Sequence, residues 1–117
     1  MSHDFKKLKV WEIGMQISKR SFEITESFPA DEKFGLASQI NRCCVSIPSN
    51  IAEGSSRTNK SFSHFIDIAL GSSFELNTQM LIALDRDYLS EKTCYEIENL
   101  ILEFQKMAKS FKYKLNN

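Results

Sequence analysis

Apolar side chains recur every three or four positions along nearly the whole chain, which is the period of an α-helix and not of a strand. The pattern is clearest around Pro48. Leu36, Ile40, Cys43, Ile47 and Ile51 fall on one helical face, and Arg42, Ser46, Ser49 and Glu53 fall on another. Pro48 has no N–H to donate and its ring crowds the carbonyl of Cys44, so an uncompensated proline there costs about 3 kcal/mol. The register nevertheless runs straight through it. That predicts a helix over about 31–53, kinked at Pro48 and packed on both sides of the kink.

The same period predicts three more helices, over about 8–27, 59–85 and 90–115. In the first, Leu8, Trp11, Met15 and Phe22 form one stripe, and Val10, Ile13, Ile17 and Ile24 form a second. The small residues Gly14, Ser18, Ser21 and Thr25 lie between them. An apolar-plus-small arc of roughly 200° is wider than one bundle core requires, and the surplus implies a subunit contact. Val10, Ile13, Ile17 and Ile24, with the polar stripe Arg42, Ser46, Ser49 and Glu53, are assigned to that contact. Arg42 and Glu53 lie about 16 Å apart along a helix, too far to pair with each other and better placed to reach a neighbour.

Helix ends follow from local chemistry. Phe28-Pro29 closes the first helix, Gly54 is placed as a stop for the second, and Asn59 as the N-cap of the third. Gly71, inside the third, implies a close approach by another helix. Ser90 caps the fourth, with Leu89 as a hydrophobic staple. The fourth carries Ile97, Leu100, Ile101, Phe104, Met107, Ala108, Phe111 and Leu115 on one face, with Tyr95, Leu102 and Tyr113 on another. Four long helices with short connections predict one all-α domain over 1–117, an antiparallel up-down-up-down four-helix bundle.

Composition adds little to this picture. The 117 residues are 42% hydrophobic and 26% charged, with four Gly and two Pro, as expected of an ordinary globular domain poor in turns. The apolar runs are too short to span a membrane and no signal-peptide core opens the chain, so no membrane partner is expected and the cytoplasm is the expected location. The cysteines Cys43, Cys44 and Cys94 are odd in number, two of them adjacent, and read as buried free thiols.

Charge matters more. Fifteen basic and fifteen acidic residues cancel, but the bundle topology sorts them. One pole gathers Lys6, Lys7, Lys9, Arg57, Lys60, Lys106, Lys109, Lys112 and Lys114 against few acids. The other holds Glu23, Glu26, Asp31, Glu32, Asp85, Asp87, Glu91 and Glu96, diluted by Lys33, Arg86 and Lys92. The lysine-rich pole is the candidate contact for RNA or DNA phosphates. An ordinary solvated helix end is the plainer reading of the same residues, since cations near helix C-termini are favourable in themselves.

Catalytic chemistry is not indicated. A di-metal bundle needs Glu-x-x-His pairs on facing helices, and the chain has none. His3 and His64 are isolated, Cys43 falls on the core face, and no glycine-rich phosphate loop occurs. The serines beside Pro48 are expected to satisfy the carbonyls it frees. No metal, no cofactor and no enzymatic activity are therefore expected.

Several stretches taken together resemble a known family. They are Leu8-Lys-Val-Trp11, Phe28-Pro-Ala-Asp-Glu-Lys-Phe-Gly-Leu36, Val45-Ser-Ile-Pro-Ser-Asn-Ile-Ala-Glu-Gly54, Ile68-Ala-Leu-Gly-Ser72 and Glu75-Leu-Asn-Thr-Gln79. In order and over most of the chain, they resemble the four-helix-bundle proteins encoded within intervening sequences of bacterial 23S ribosomal RNA genes. The resemblance implies the same bundle and a homopentameric ring. That family is in turn similar to the accessory variability protein of diversity-generating retroelements, a basic pentamer that works with a reverse transcriptase and its template RNA. This chain departs from that relative in its zero net charge. Two functional readings follow. One is a self-associating bundle that binds RNA or DNA through the lysine-rich pole. The other is an adaptor that recruits a protein partner, such as a reverse transcriptase, without touching nucleic acid.

Overall fold

In the computed structural model, which describes residues 3–117, four helices carry most of the chain. They are α1 (Lys9–Glu26), α2 (Leu36–Ser55), α3 (Asn59–Asp85) and α4 (Glu91–Leu115). Single 3₁₀ turns at Phe5–Lys7 and Ala30–Glu32 precede α1 and α2, and no strand occurs among the described residues. Each helix packs on its neighbour in chain order, and α4 closes back on α1. Partner numbers fall as residue numbers rise along each seam. Ser18 meets Cys44 and Thr25 meets Asn41; Ser46 meets Ser72 and Gly54 meets Phe62; Ser73 meets Gln105 and Ser63 meets Asn116. This is an antiparallel up-down-up-down bundle, 45 × 23 × 20 Å.

The core is what the periodicity selects. Ile40, Ile47 and Ile51 from α2, Phe62, Ile66, Leu76 and Met80 from α3, and Ile97, Ile101 and Phe104 from α4 are fully buried. From α1 the buried stripe is Val10, Ile13, Ile17 and Ile24. These four are covered by the chain's own helices, which corrects their assignment to a subunit contact. A core residue on one strongly amphipathic helix and an interface residue on a two-sided one have the same spacing, so periodicity alone could not separate them.

Pro48 lies inside an uninterrupted α2, and its compensation comes from α1. The carbonyl that loses its usual N–H donor is that of Cys44, and Ser18 Oγ donates to it at 2.8 Å. The helices can approach this closely because Gly14 faces the proline: a Cβ on Gly14 would lie 3.3 Å from the Pro48 Cα. Ser46 and Ser49, expected to do this work, do not. Ser46 Oγ is instead bonded to Ser72 Oγ at 2.8 Å and receives Asn50 Nδ2 at 3.0 Å.

Other departures sit at helix ends. α2 begins at Leu36, not near Asp31, because residues Ala30–Glu32 form the 3₁₀ turn and Gly35 adopts a backbone outside the helical region. Glu32 then caps α2 from outside, its Oε1 accepting the Leu36 N–H at 3.1 Å and its Oε2 the Tyr88 hydroxyl at 2.8 Å. Gly54 is no stop: it lies within α2, where a Cβ would fall 2.7 Å from the Phe62 ring, so its role is to admit that ring. Thr58 caps α3 in place of Asn59, accepting from Ser61 N at 3.3 Å. Gly71 faces open space within the chain, against the expectation of a close helix approach. The end of α3 uses Asp87 at φ 62°, with Tyr88 N donating to Ala83 O at 2.9 Å, the pattern of a Schellman cap. Ser90 caps α4 as expected, accepting from Thr93 N at 3.1 Å.

Candidate nucleic-acid interface

Three parts of the chain meet at one pole. The backbone N–H of His3 donates to Ser55 O at 3.0 Å, tying the N-terminal segment to the end of α2. The His3 ring packs edge-on against Phe62 at 5.4 Å and Phe111 at 6.0 Å, which joins α3 and α4 to the same cluster. Ser63 Oγ and Asn116 Oδ1, 3.0 Å apart, fasten the last turn of α4 to α3. Asp4 accepts from Lys6 N at 3.3 Å and so orders the turn that carries Lys6 and Lys7. Phe5 on that turn packs against Trp11 at 5.3 Å.

Of the basic residues expected at this pole, Lys106 and Lys109 stand farther in, because Gln105 bonds Ser73 and Lys109 lies 5.8 Å from the Phe74 ring, both at the middle of α3; the others are unequal. Lys112 Nζ is paired with Asp67 at 2.6 Å, and Arg57 with Glu53 at 3.3 Å while stacked 5.3 Å from the Phe65 ring. Lys6, Lys7, Lys9, Lys60, Lys106, Lys109 and Lys114 are exposed and have no ion-pair partner among the described residues. They divide between two sides. Lys9, Lys106 and Lys114 line a groove of 430 Å³ between α1 and α4. Lys109 turns toward α3, 5.8 Å from the Phe74 ring. At the far pole Arg20 is held by Glu23 at 3.6 Å and Glu96 at 3.5 Å, and the Glu32 carboxyl sits below its ordinary pKa because of the Leu36 N–H and then the Tyr88 hydroxyl.

The polar stripe of α2 is split by the structure. Arg42 and Ser46 line a hollow shared with Gln39, Ser72 and Glu75, Ser49 faces α1, and Glu53 is engaged by Arg57. Exposed apolar residues occur on both helix pairs: Ile68, Phe74, Leu81, Ile82, Tyr95, Leu102 and Tyr113 on α3 and α4, and a groove on α1 and α2. Trp11, Met15 and Phe22 of α1 with Val45 and Pro48 of α2 form a groove of 450 Å³. It continues past Phe22 and Val45 to Phe34, which is 90% exposed. The Trp11–Met15–Phe22 stripe was visible as a second apolar face; Phe34 was hidden by reading its turn as helix.

The thiols are poorly suited to nucleophilic work. Burial, with smaller contributions from Glu75 and Cys44, pushes Cys43 from 9.0 to about 12. Burial also raises Cys44 and Cys94. No three His, Cys, Asp or Glu side chains come together as a metal site among the described residues, and no helix there is long and apolar enough to cross a membrane.

Fold and site together define an all-α four-helix bundle with exposed lysines and an exposed apolar groove. Its sequence over residues 6–110 matches the family described as 23S rRNA-intervening sequence protein, and the chain belongs to that family. Among solved structures it is similar to a protein of unknown function from the S23 ribosomal protein family of Bacteroides thetaiotaomicron, at a TM-score of 0.82 and 21% identity, covering 88% of this chain and 97% of that one. At that identity the likeness speaks to the fold. No curated protein matches the chain.

Proposed function

We propose that this protein is a non-enzymatic, self-associating bundle that contacts RNA or DNA through its lysine-rich pole. The observation that carries the reading is the set of exposed lysines on the N-terminal turn, the start of α3 and the last turns of α4, without an ion-pair partner among the described residues, in an electrically neutral molecule. A zero net charge removes long-range attraction, so binding depends on these lysines and on their repetition around an oligomer. Self-association is supported by the apolar α1–α2 face running from Met15 and Phe22 to Val45 and Phe34, in place of the buried Val10 stripe. A ring of subunits would set several lysine poles on one rim, where phosphate contacts add.

A mobility-shift titration against a labelled single-stranded RNA tests the first part. The logarithm of the affinity falls with that of salt at about 0.7 per phosphate contacted, and Lys6→Glu with Lys60→Glu and Lys109→Glu removes binding. Affinity indifferent to salt or to these changes refutes it. Light scattering tests the second part: a wild-type particle of 13.5 kDa at micromolar concentration rules out the oligomer. Met15→Glu with Phe22→Glu, both exposed in the isolated chain, dissociates the assembly without unfolding it.

A further inference from the structure

The groove between α1 and α4 combines two features that nucleic acid does not need together. Its floor is Leu8, Val10, Met107 and Phe111, an apolar surface suited to side chains and not to phosphates. Its rim carries Lys9, Lys106 and Lys114 against the single acid Glu103. From Glu103 to Lys114 it follows α4 for about 16 Å, or three helical turns. At its α1 side the helix starts at Leu8–Lys9 with no side-chain cap, so unsatisfied backbone N–H groups add positive potential to the lysines.

We infer that this groove docks an acidic amphipathic helix of a partner protein. Two or three apolar side chains at i, i+3 or i+4, and i+7 lie on the Leu8–Met107–Phe111 floor, the arrangement of helix-in-groove recognition. Carboxylates on the flanks of that helix face Lys9, Lys106 and Lys114. Glu103 repels acids at the inner end, so the acidic residues of the partner lie toward the pole. Charge complementarity selects this partner, because a basic or neutral amphipathic helix would leave the lysine rim unanswered. The groove shares no lining residue with the face of Met15, Phe22 and Val45, so the docking and the self-association surfaces can be mutated separately. The inference does not rest on nucleic-acid binding.

The probe is a fluorescein-labelled peptide of about 14 residues, with Leu at i, i+3, i+4 and i+7 and Glu on both flanks, followed by anisotropy. A peptide of the same composition with its leucines dispersed around the helix is the comparison, and a labelled single-stranded RNA is titrated in parallel. Ser110 is exposed and lines the groove between Lys106 and Lys114, so Ser110→Trp fills it from the solvent side while leaving every lysine charge in place. The expected result is binding of the amphipathic peptide that Ser110→Trp weakens by about tenfold or more, that Lys106→Glu also weakens, and that the dispersed peptide does not reproduce. RNA binding is expected to be unchanged by Ser110→Trp. The proposal is overturned if wild type does not bind the amphipathic peptide, if the dispersed peptide binds equally, or if Ser110→Trp leaves peptide affinity intact. It is also overturned if Ser110→Trp abolishes RNA binding, which would assign the groove to nucleic acid. Failure of the RNA titration alone refutes only the nucleic-acid reading. A circular-dichroism melt confirms that each variant is folded.

Discussion

Removing one hydroxyl isolates the interaction that accommodates a proline inside α2. In Ser18→Ala the Cys44 carbonyl loses the donor that stands at 2.8 Å, an ordinary O–H···O distance. Cys44 is 0% exposed, so water cannot replace that donor cheaply. An acceptor left buried without a partner costs about 1–3 kcal/mol. At about 4 °C per kcal/mol for a domain of this size, the melting temperature falls by about 4–12 °C. The companion change Pro48→Ala restores an amide N–H at position 48, which donates to the same carbonyl in the ordinary helical way. Ser18→Ala in that background costs only about 0.5 kcal/mol, giving a coupling of about 0.5–2.5 kcal/mol between the two sites. Pro48→Ala also removes the buried ring methylenes, so its own effect is the balance of a gain in helix propensity and a loss of packing. The coupling, not that balance, is the quantity to measure. Urea unfolding followed by helical circular dichroism on all four proteins gives it, at one protein concentration because self-association shifts apparent stability. An equal cost for Ser18→Ala with and without Pro48 would refute the account of how α2 tolerates its proline.

The remaining expectations concern glycines, thiols and one carboxylate. Gly54→Ala drives a methyl to within 2.7 Å of the Phe62 ring and 2.8 Å of Phe65 Cβ, so it destabilises by about 1–3 kcal/mol despite alanine's better propensity. Gly71→Ala meets open space and stabilises by about 1 kcal/mol in the isolated chain; a loss of stability in the melt would mean that a neighbouring molecule packs on that face. Cys43, with its thiol pushed up to about 12, stays unreactive to iodoacetamide at pH 8 until the protein is unfolded. Because its folded value lies above its ordinary 9.0, the stability tied to it is complete below pH 9.0 and is lost as pH rises toward about 12; alkaline unfolding of Cys43→Ala shows a shallower decline over that window. Glu32 is shifted the other way by its bonds from Leu36 and Tyr88, so its contribution is complete above 4.5 and lost as pH falls through its folded value; Glu32→Gln flattens the acid limb of the stability profile.

The sequence by itself determined the helices, their order and most of the core, because a 3.6-residue period and short connections leave few ways to bury the apolar stripes. Residues such as Ile40, Ile47, Phe62, Leu76 and Phe104 declare themselves by spacing alone, and Ser90 and its helix by local capping chemistry. The meeting of the N-terminal turn, the α2–α3 connection and the end of α4 was legible for the same reason, since topology fixes which helix ends meet. What only the tertiary structure decided is which of two apolar stripes on α1 is the inside. Val10, Ile13, Ile17 and Ile24 went to the core because the Gly14–Ser18–Ser21 edge lets α2 come close at Pro48, which leaves Met15 and Phe22 outside. It also decided which serine answers the proline. The orphaned Cys44 carbonyl is local to α2, but its donor is Ser18, distant by twenty-six residues in sequence and adjacent only through packing. Side-chain periodicity reports the angle of a residue about its own helix; which neighbour fills that angle is set by the approach of another chain segment, and no single helix encodes it.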